Sequence, residues 1–222
     1  TAYLCYNLAD SYWAEKGEKQ MGAILQSLQR TVIAGFVLLL AIFIIVGALR
    51  GFPTFDHGWG AFVVRWLHVL SGIMWIGLLY YFNFVQIPNM PKIPDEQKPA
   101  IGKVIAPAAL FWFRWGAAAT VLTGLLLAIM NGYFVNAITL GIVKSGVTGA
   151  TVIGIGMWLG LIMAYNVWFV IWPNQKRALG IVDAAPDVKA KSARTAMLFS
   201  RTNTLLSIPM LFCMIAQQNA GL

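Results

Sequence analysis

Acidic side chains are scarce in this sequence, and its long apolar stretches hold none of them. The 222 residues include 8 Asp and Glu against 16 Lys and Arg, and only 11% of all residues are charged. The apolar stretches therefore contain no carboxylate pair, and they also lack a Ser/His/Asp set and a phosphate-binding loop. These absences argue against hydrolytic and phosphoryl-transfer catalysis in those stretches.

Cysteine and histidine are equally sparse, with two residues of each type. Cys5 precedes the first apolar stretch and Cys213 lies late in the last one, so no intramolecular disulfide is expected. The sequence has no CxxC, CxxCH or Cys/His cluster, and so no zinc, iron–sulfur or c-type haem signature. The first thirty residues also lack the ordered regions of a signal peptide, so the first apolar stretch is expected to remain as an anchor.

Hydrophobic residues make up 59% of the sequence, which indicates an integral membrane protein. Because about 20 apolar residues cross the hydrocarbon core as a helix, the sequence predicts an all-α protein with five transmembrane helices. Residues 1–30 are expected to form an interfacial segment at the membrane surface, and residues 31–222 the five-helix membrane domain. We number the predicted helices as spans 1 to 5, at residues 31–49, 59–85, 107–131, 147–172 and 194–217.

The net charge of +8 is distributed unevenly between the predicted loops. Basic residues precede span 1 and follow spans 2 and 4, whereas the other side holds only Arg50 and Lys144. The positive-inside rule then places the N-terminus in the cytoplasm and the C-terminus outside, in a bacterial inner membrane. The basic residues form no separate domain, so no nucleic-acid partner is expected. Span 1 is apolar all round, and together with the N-terminal segment it is expected to face lipid or other membrane subunits.

Two short segments next to span 2 carry further predictions. His57 lies in the predicted external loop just before the span and is expected to be solvated. Pro88, Pro91 and Pro94 follow the span at three-residue intervals, and prolines at that spacing favour an extended, polyproline-like loop.

Spans 2–3 and spans 4–5 look like two copies of one hairpin. Residues 74–83 align without gaps on residues 157–166 with five identities in ten positions, and each block leads into a Pro-Asn pair. Repeat 1 would cover about 59–131 and repeat 2 about 147–217. Parallel repeats of this kind predict a four-helix bundle with pseudo-two-fold symmetry, with span 1 outside it. The alternative is chance similarity between apolar helices.

Span 2 carries two ionisable side chains, Arg65 and His68, at membrane depth, where such groups are costly and are read as functional by default. Helical spacing places both on one face with Trp75. His68 is predicted to be the axial ligand of a b-type haem or of the magnesium in a chlorophyll-type pigment. Arg65 would pair with a haem propionate. The alternatives are a buried histidine bonded to Ser71 or a neighbouring helix, and an arginine that extends to the headgroups.

The repeat assigns Thr151 as the counterpart of His68, so the bundle does not offer two facing histidines. A tetrapyrrole at His68 would be five-coordinate, or would take its sixth ligand from a methionine, from His57 or from another subunit.

Polar residues in the other spans form two further groups. Arg114 and Arg201 have no acidic residue in any span to neutralise them, so they are predicted to pair with a propionate, a carboxylate substrate or a lipid headgroup. Asn83, Asn166 and Asn203 are expected to make hydrogen bonds that pack the helices together.

Three stretches resemble one known family. They are RWLH at 65–68 followed by WIG at 75–77, FWFRW at 111–115, and SRTNT at 200–204 followed by PMLFCM at 209–214. From about Gly58 onward the sequence resembles the membrane domain of bacterial cytochrome c-linked urate hydroxylases, and more distantly the copper-resistance D and membrane protoporphyrinogen oxidase proteins. It lacks the c-type cytochrome domain of that family, has Gly116 where the family has a glutamate, and has Gln217 and Gln218 where a histidine-containing segment is expected.

Three functions remain open on these grounds. The first is an inner-membrane subunit of a larger respiratory or photosynthetic complex that binds one b-type haem through His68 and transfers electrons. The second is a structural or assembly subunit that keeps the fold without the cofactor. The third, implied by the resemblance, is a urate-type oxidoreductase that works with a separate c-type cytochrome.

Overall fold

The computed structural model of the protein describes residues 22–142 and 150–219, with side chains to Gln217. Within those ranges all regular structure is helical, and five helices are long and apolar enough to cross a membrane. This confirms the prediction of an all-α protein with five spans. The chain divides into two compact units, Thr1–Phe55 and Asp56–Leu222.

The described part of the first unit contains one long helix, α1, at Leu28–Arg50. It corresponds to span 1, and Gly47 is its one buried residue. Gly47 is covered because the chain turns at Gly51, which has a φ of 91°, and the Phe52 ring then folds back onto it. The other side chains of α1 are largely exposed, as expected of a helix that faces lipid. Most of the predicted interfacial segment, residues 1–21, lies outside the described residues.

The second unit begins with α2 at His57–Tyr80, which corresponds to span 2. The carboxylate of Asp56 caps this helix by accepting a hydrogen bond of 3.0 Å from the backbone N–H of Trp59. His57, predicted in the preceding loop, is therefore the first residue of the helix. The helix continues through a π-helical segment at Tyr81–Gln86 and further helical turns that end at Lys92.

The predicted extended loop at residues 87–94 is wrong, because the chain stays helical through Pro88 and Pro91. A proline lacks the backbone N–H and its ring clashes with the carbonyl four residues earlier in a regular α-helix. Here the turn before Pro88 is widened, and Ile87 N–H donates to the carbonyl of Phe82, five residues back. Pro88 then occupies an early position of the following turn, where a missing N–H is tolerated.

In its described residues, the rest of the second unit contains four further labelled helices: α3 at Ala106–Met130, α4 at Phe134–Ile138, α5 at Ala150–Tyr165 and α6 at Pro186–Asn219. Span 3 begins with helical turns at Lys98–Ile105 and continues as α3, and the short helix α4 follows. Span 4 is α5, followed by the π-helical segment Asn166–Ile171 and the turns Trp172–Ala178, and span 5 is α6. The π-helical segment before Pro173 repeats the arrangement before Pro88.

The helices of the second unit pack as two pairs. The most extensive contacts join α2 to α3 and α5 to α6, and smaller contacts join α3 to α5 and α6 to α2. This is the order of neighbours that a bundle of two hairpins requires, while the duplication itself stays a prediction. The largest fully buried side chains include Trp75, Phe113 and Met163, which belong to one apolar core.

Three asparagines bond between the helices. The amide of Asn83 donates to the hydroxyl of Ser200 at 2.7 Å. Asn166 donates to the side-chain oxygen of Asn203 at 2.8 Å, and Asn203 donates in turn to the carbonyl of Met163 at 2.9 Å. Each of these bonds joins α6 to another helical segment, and the role of the three asparagines in packing stays a prediction.

We expect Asn203→Ala to destabilise the bundle by about 1 to 2 kcal/mol, because Asn203 is fully buried and its loss leaves the amide of Asn166 without its partner and removes the bond to the carbonyl of Met163. Equilibrium unfolding in mixed detergent micelles measures this change. Thr202→Ala is the matched control, because Thr202 is exposed and its hydroxyl bonds within its own helix. Equal stability of the two variants would contradict the prediction.

Candidate functional site

A cavity of about 630 Å³ lies inside the second unit, between α2, α3, α5 and α6. It is found toward the end of the bundle at which α2 and α5 begin and α3 and α6 finish. His68 enters its wall from α2, Thr120 and Gly124 from α3, Met157 from α5 and Met210 from α6. The cavity thus draws on both helix pairs, and most of its wall is apolar.

The orientation of His68 is fixed by α3. Its Nδ1 atom lies 2.9 Å from the carbonyl oxygen of Thr120 and 3.2 Å from the hydroxyl of Thr123. A carbonyl oxygen can only accept, so Nδ1 carries a proton, and in the neutral form of the ring the lone pair then lies on Nε2. An imidazole held through one nitrogen by a backbone carbonyl is the arrangement usual for histidines whose other nitrogen binds a metal.

A glycine on α3 makes room for the His68 ring. A Cβ atom built on Gly124 would lie 2.8 Å from His68 Cε1, closer than real Cβ atoms approach, and 3.2 Å from Nδ1. Gly116, two helical turns earlier, has the same relation to the backbone of Trp75, at 3.2 Å. These two glycines, eight positions apart and so on one face of α3, let α3 approach α2 closely.

Two N–H groups of the cavity-lining residues are shielded and unpaired. The Nε atom of Arg65 and the indole Nε1 of Trp75 are buried, and neither has a hydrogen-bond partner among the described residues. Buried donors without acceptors are costly and are usually satisfied by water or a ligand. Arg65, His68 and Trp75, which helical spacing assigns to one face, all line the same cavity.

Tyr133 also lines this cavity, and no sequence pattern marked it as a site residue. It lies in the connection between α3 and α4, where no helical spacing relates it to His68. Burial raises the pKa of its phenol above the usual value, and the positive charge of Arg65 offsets part of that effect. The phenol is therefore protonated at neutral pH and can donate a hydrogen bond beside the guanidinium.

Other sequence candidates lie away from the cavity. His57 is bonded through Nε2 to the carbonyl of Met130 at 2.7 Å and is not part of the cavity wall, so the structure does not bring it to His68 as a second ligand. Thr151 donates to the carbonyl of Leu140 at 2.9 Å and does not line the cavity either. Arg114 stacks on a tryptophan of span 4, and Arg201 is exposed on α6.

Metal-ligating side chains do not cluster in the part of the chain that the structure describes. Among residues 22–142 and 150–219, no three His, Cys, Asp or Glu side chains lie together as a candidate metal site. The cavity wall instead combines one imidazole with apolar residues that include Met157, Met210 and Met214. This donor set does not suit a bare zinc or calcium ion, whose sites need several such ligands.

Comparison with known proteins agrees with the resemblance found in the sequence. A family model described as "Urate oxidase N-terminal" matches residues 142–220, which is less than half of the chain. The match covers α5 and α6, which supply the methionines of the cavity, but not α2, which supplies His68 and Arg65. Searches of curated proteins and of solved structures found no match. The chain is thus a multi-pass membrane protein whose last two spans resemble the urate oxidase N-terminal family.

Proposed function

We propose that the protein binds one b-type haem, or a related tetrapyrrole such as a chlorophyll-type pigment, through Nε2 of His68. It would take part in electron transfer as an inner-membrane subunit of a larger redox complex. The observation that carries the proposal is the His68 imidazole at the cavity wall, whose Nδ1–H donates to the Thr120 carbonyl. That bond leaves the lone pair of Nε2 available to a metal.

The residues present fit such a group. The cavity volume of about 630 Å³ lies within the range of cofactor sites, and its apolar wall suits a flat macrocycle. The unpaired N–H group of Arg65 suits a carboxylate of the propionate type, whose charge Arg65 would also neutralise, and the indole N–H of Trp75 is a second unpaired donor among the cavity-lining residues. When bound, a haem supplies one-electron redox chemistry. The chain's own residues hold it, orient it and exclude water.

Whether the chain would supply a second ligand separates two versions of the proposal. Apart from His68, the metal-ligating side chains that line the cavity are those of Tyr133, Met157, Met210 and Met214. A thioether ligand would give a six-coordinate centre suited to electron transfer alone, whereas an open position would also accept small gases. Addition of carbon monoxide to the reduced protein distinguishes them, because a spectral shift requires an open or weakly held position.

A cofactor-free structural or assembly subunit is the second candidate, and the exposure of α1 favours it. Apart from Gly47 this helix has no buried residue, so almost its whole surface is available to lipid or to another membrane subunit. The family match favours a third function, a urate-type oxidoreductase that passes electrons to a separate c-type cytochrome. Urate-dependent reduction of added cytochrome c by the purified protein would support this third function.

The main test is a visible spectrum of the full chain purified in mild detergent, with pigment extraction and mass spectrometry. We expect one tetrapyrrole per chain and a Soret band that is lost in His68→Ala. His57→Ala is the matched control, because it removes the only other histidine and leaves the cavity unchanged. Addition of free imidazole to His68→Ala is expected to restore the band, because it replaces the missing ligand.

Two results would overturn the proposal. One is a Soret band that His68→Ala retains at full intensity. The other is a folded, colourless protein that does not bind added haemin or the extracted pigments, and this result would leave the structural subunit as the function. Size-exclusion chromatography of each variant shows whether the protein is folded.

A further inference from the structure

Arg114 of α3 stacks on a tryptophan of span 4. Its guanidinium carbon lies 3.3 Å from the ring centre of Trp172 and 6.0 Å from that of Trp168. The ammonium of Lys176 lies 5.6 Å from the ring centre of Trp172. The three residues at Trp172 come from two helices that pack together, and none of them lines the cavity at His68.

The stacking leaves the hydrogen-bonding edge of Arg114 unused. The N–H groups of a guanidinium lie in its plane, so contact through its face uses none of them. The side chain as a whole is partly exposed, but its Nη1 atom is shielded and has no hydrogen-bond partner in the described part of the chain. A charged donor in that state needs an acceptor that the described residues do not supply.

The charge at this position is also uncompensated. Arg114 and Lys176 place two positive charges at one tryptophan ring, and neither forms an ion pair with an acidic side chain of residues 22–142 or 150–219. No Asp or Glu occurs in the helical segments Lys98–Met130 and Ala150–Ala178 that carry them. An anion bound between the two cations would remove their repulsion and satisfy the free N–H groups.

From this geometry we infer that Arg114, Trp172 and Lys176 form a binding site for a phosphate group, with an anionic phospholipid as its source. Trp172 and Lys176 lie in the last turns of the helical segment Ala150–Ala178, and tryptophan and lysine at the end of a spanning helix are typical of the headgroup region. Trp115, half exposed, packs edge-on against Trp168 with ring centres 5.5 Å apart. These rings give an acyl chain an apolar surface beside the guanidinium. A free phosphate ion would not use that surface.

The test is native mass spectrometry of the full chain in detergent, titrated with phosphatidylglycerol or with phosphatidylcholine. We expect the wild type to bind one phosphatidylglycerol at least 10-fold more tightly than Arg114→Gln does, with a weaker loss in Lys176→Gln. Arg194→Gln is the matched control, because it removes an exposed arginine of α6 to which no anion is assigned. Arg114→Lys, which keeps the charge but loses the planar fork, is expected to bind with intermediate affinity.

Competition separates the two sources of phosphate. If the source is a lipid, millimolar inorganic phosphate leaves the bound phosphatidylglycerol in place, whereas displacement at that concentration would assign the site to a free phosphate ion and overturn the lipid assignment. Equal affinity of the wild type and a folded Arg114→Gln for phosphatidylglycerol would overturn the site itself. If Arg114→Gln does not fold, the same comparison is made with Arg114→Lys and Lys176→Gln. None of these measurements requires a bound tetrapyrrole.

Discussion

Gly154→Ala is expected to destabilise the protein by about 2 kcal/mol. Gly154 lies on α5, and a Cβ atom there would overlap the carbonyl oxygen of Ala137 and lie 3.1 Å from Leu140 Cδ2. Overpacking costs about 1 to 3 kcal/mol, and the upper end applies because a backbone carbonyl cannot rotate away. The better helix propensity of alanine offsets about 1 kcal/mol of that cost.

Gly160→Ala is the matched control on the same helix. A Cβ atom at Gly160 meets no other atom within 4 Å, so this variant gains helix propensity without a clash. Equilibrium unfolding in mixed micelles should therefore separate the two variants by about 3 kcal/mol. If they are equally stable, α4 does not pack against α5 as the structure has it. Because Tyr133 directly precedes α4, Gly154→Ala should also displace this residue from the cavity.

Gly124→Ala is expected to weaken tetrapyrrole binding at least 10-fold, a prediction that rests on the proposed function. The added methyl group would lie 2.8 Å from His68 Cε1, so the imidazole must swing away and lose its bond to the carbonyl of Thr120. An imidazole that is no longer oriented costs about 10- to 100-fold in metal affinity. The stability loss should be smaller, about 1 kcal/mol, because a side chain can move where a backbone cannot.

The pigment titration is compared with Gly35→Ala, which adds a methyl group to a spanning helix with no atom within 4 Å. A double-mutant cycle tests the contact without any cofactor. In the His68→Ala background, Gly124→Ala should no longer be destabilising, because the ring that it clashes with is absent. If it destabilises both backgrounds equally, the Gly124 and His68 side chains are not coupled.

The sequence predicted the five spans because hydrophobic length alone determines what can cross a bilayer, but it did not predict where the helices end. Span 5 begins at Pro186 rather than at residue 194, and span 3 begins at Lys98 rather than at residue 107. The predicted bounds followed the apolar residues, whereas the helices continue into charged turns beyond them. The wrong prediction of an extended loop at Pro88 has another cause, because a proline is incompatible with a regular α-helical turn but not with a widened π-helical one.

From the sequence, only those site residues that lie on one helix could be grouped together. Arg65, His68 and Trp75 lie on one face of α2, so their spacing was enough to group them. Tyr133 reaches the cavity from a connection between helices, and Thr120 contributes a backbone carbonyl that no sequence pattern marks.

The stacking partner of Arg114 could not be predicted from the sequence either, because it lies on another helix. Its aromatic neighbours in sequence occupy adjacent positions of α3, and adjacent residues of a helix point in different directions. The ring it contacts, that of Trp172, comes from a helix 58 positions later in the chain.

The length of its helical segment places His68 at unequal distances from the two ends of the bundle. The helical segment His57–Lys92 has 36 residues and extends about 54 Å, whereas the hydrocarbon layer is about 30 Å thick. His68 lies only about 16 Å along the axis from the start of that segment. With a haem at His68, a water-soluble electron carrier at the end of the bundle near Asp56 would be within a few helical turns of the haem. A carrier at the end near Lys92 would be separated from the haem by the remaining length of the helical segment. The protein would then exchange electrons with one aqueous compartment only, and its activity in vesicles would depend on which way it is inserted.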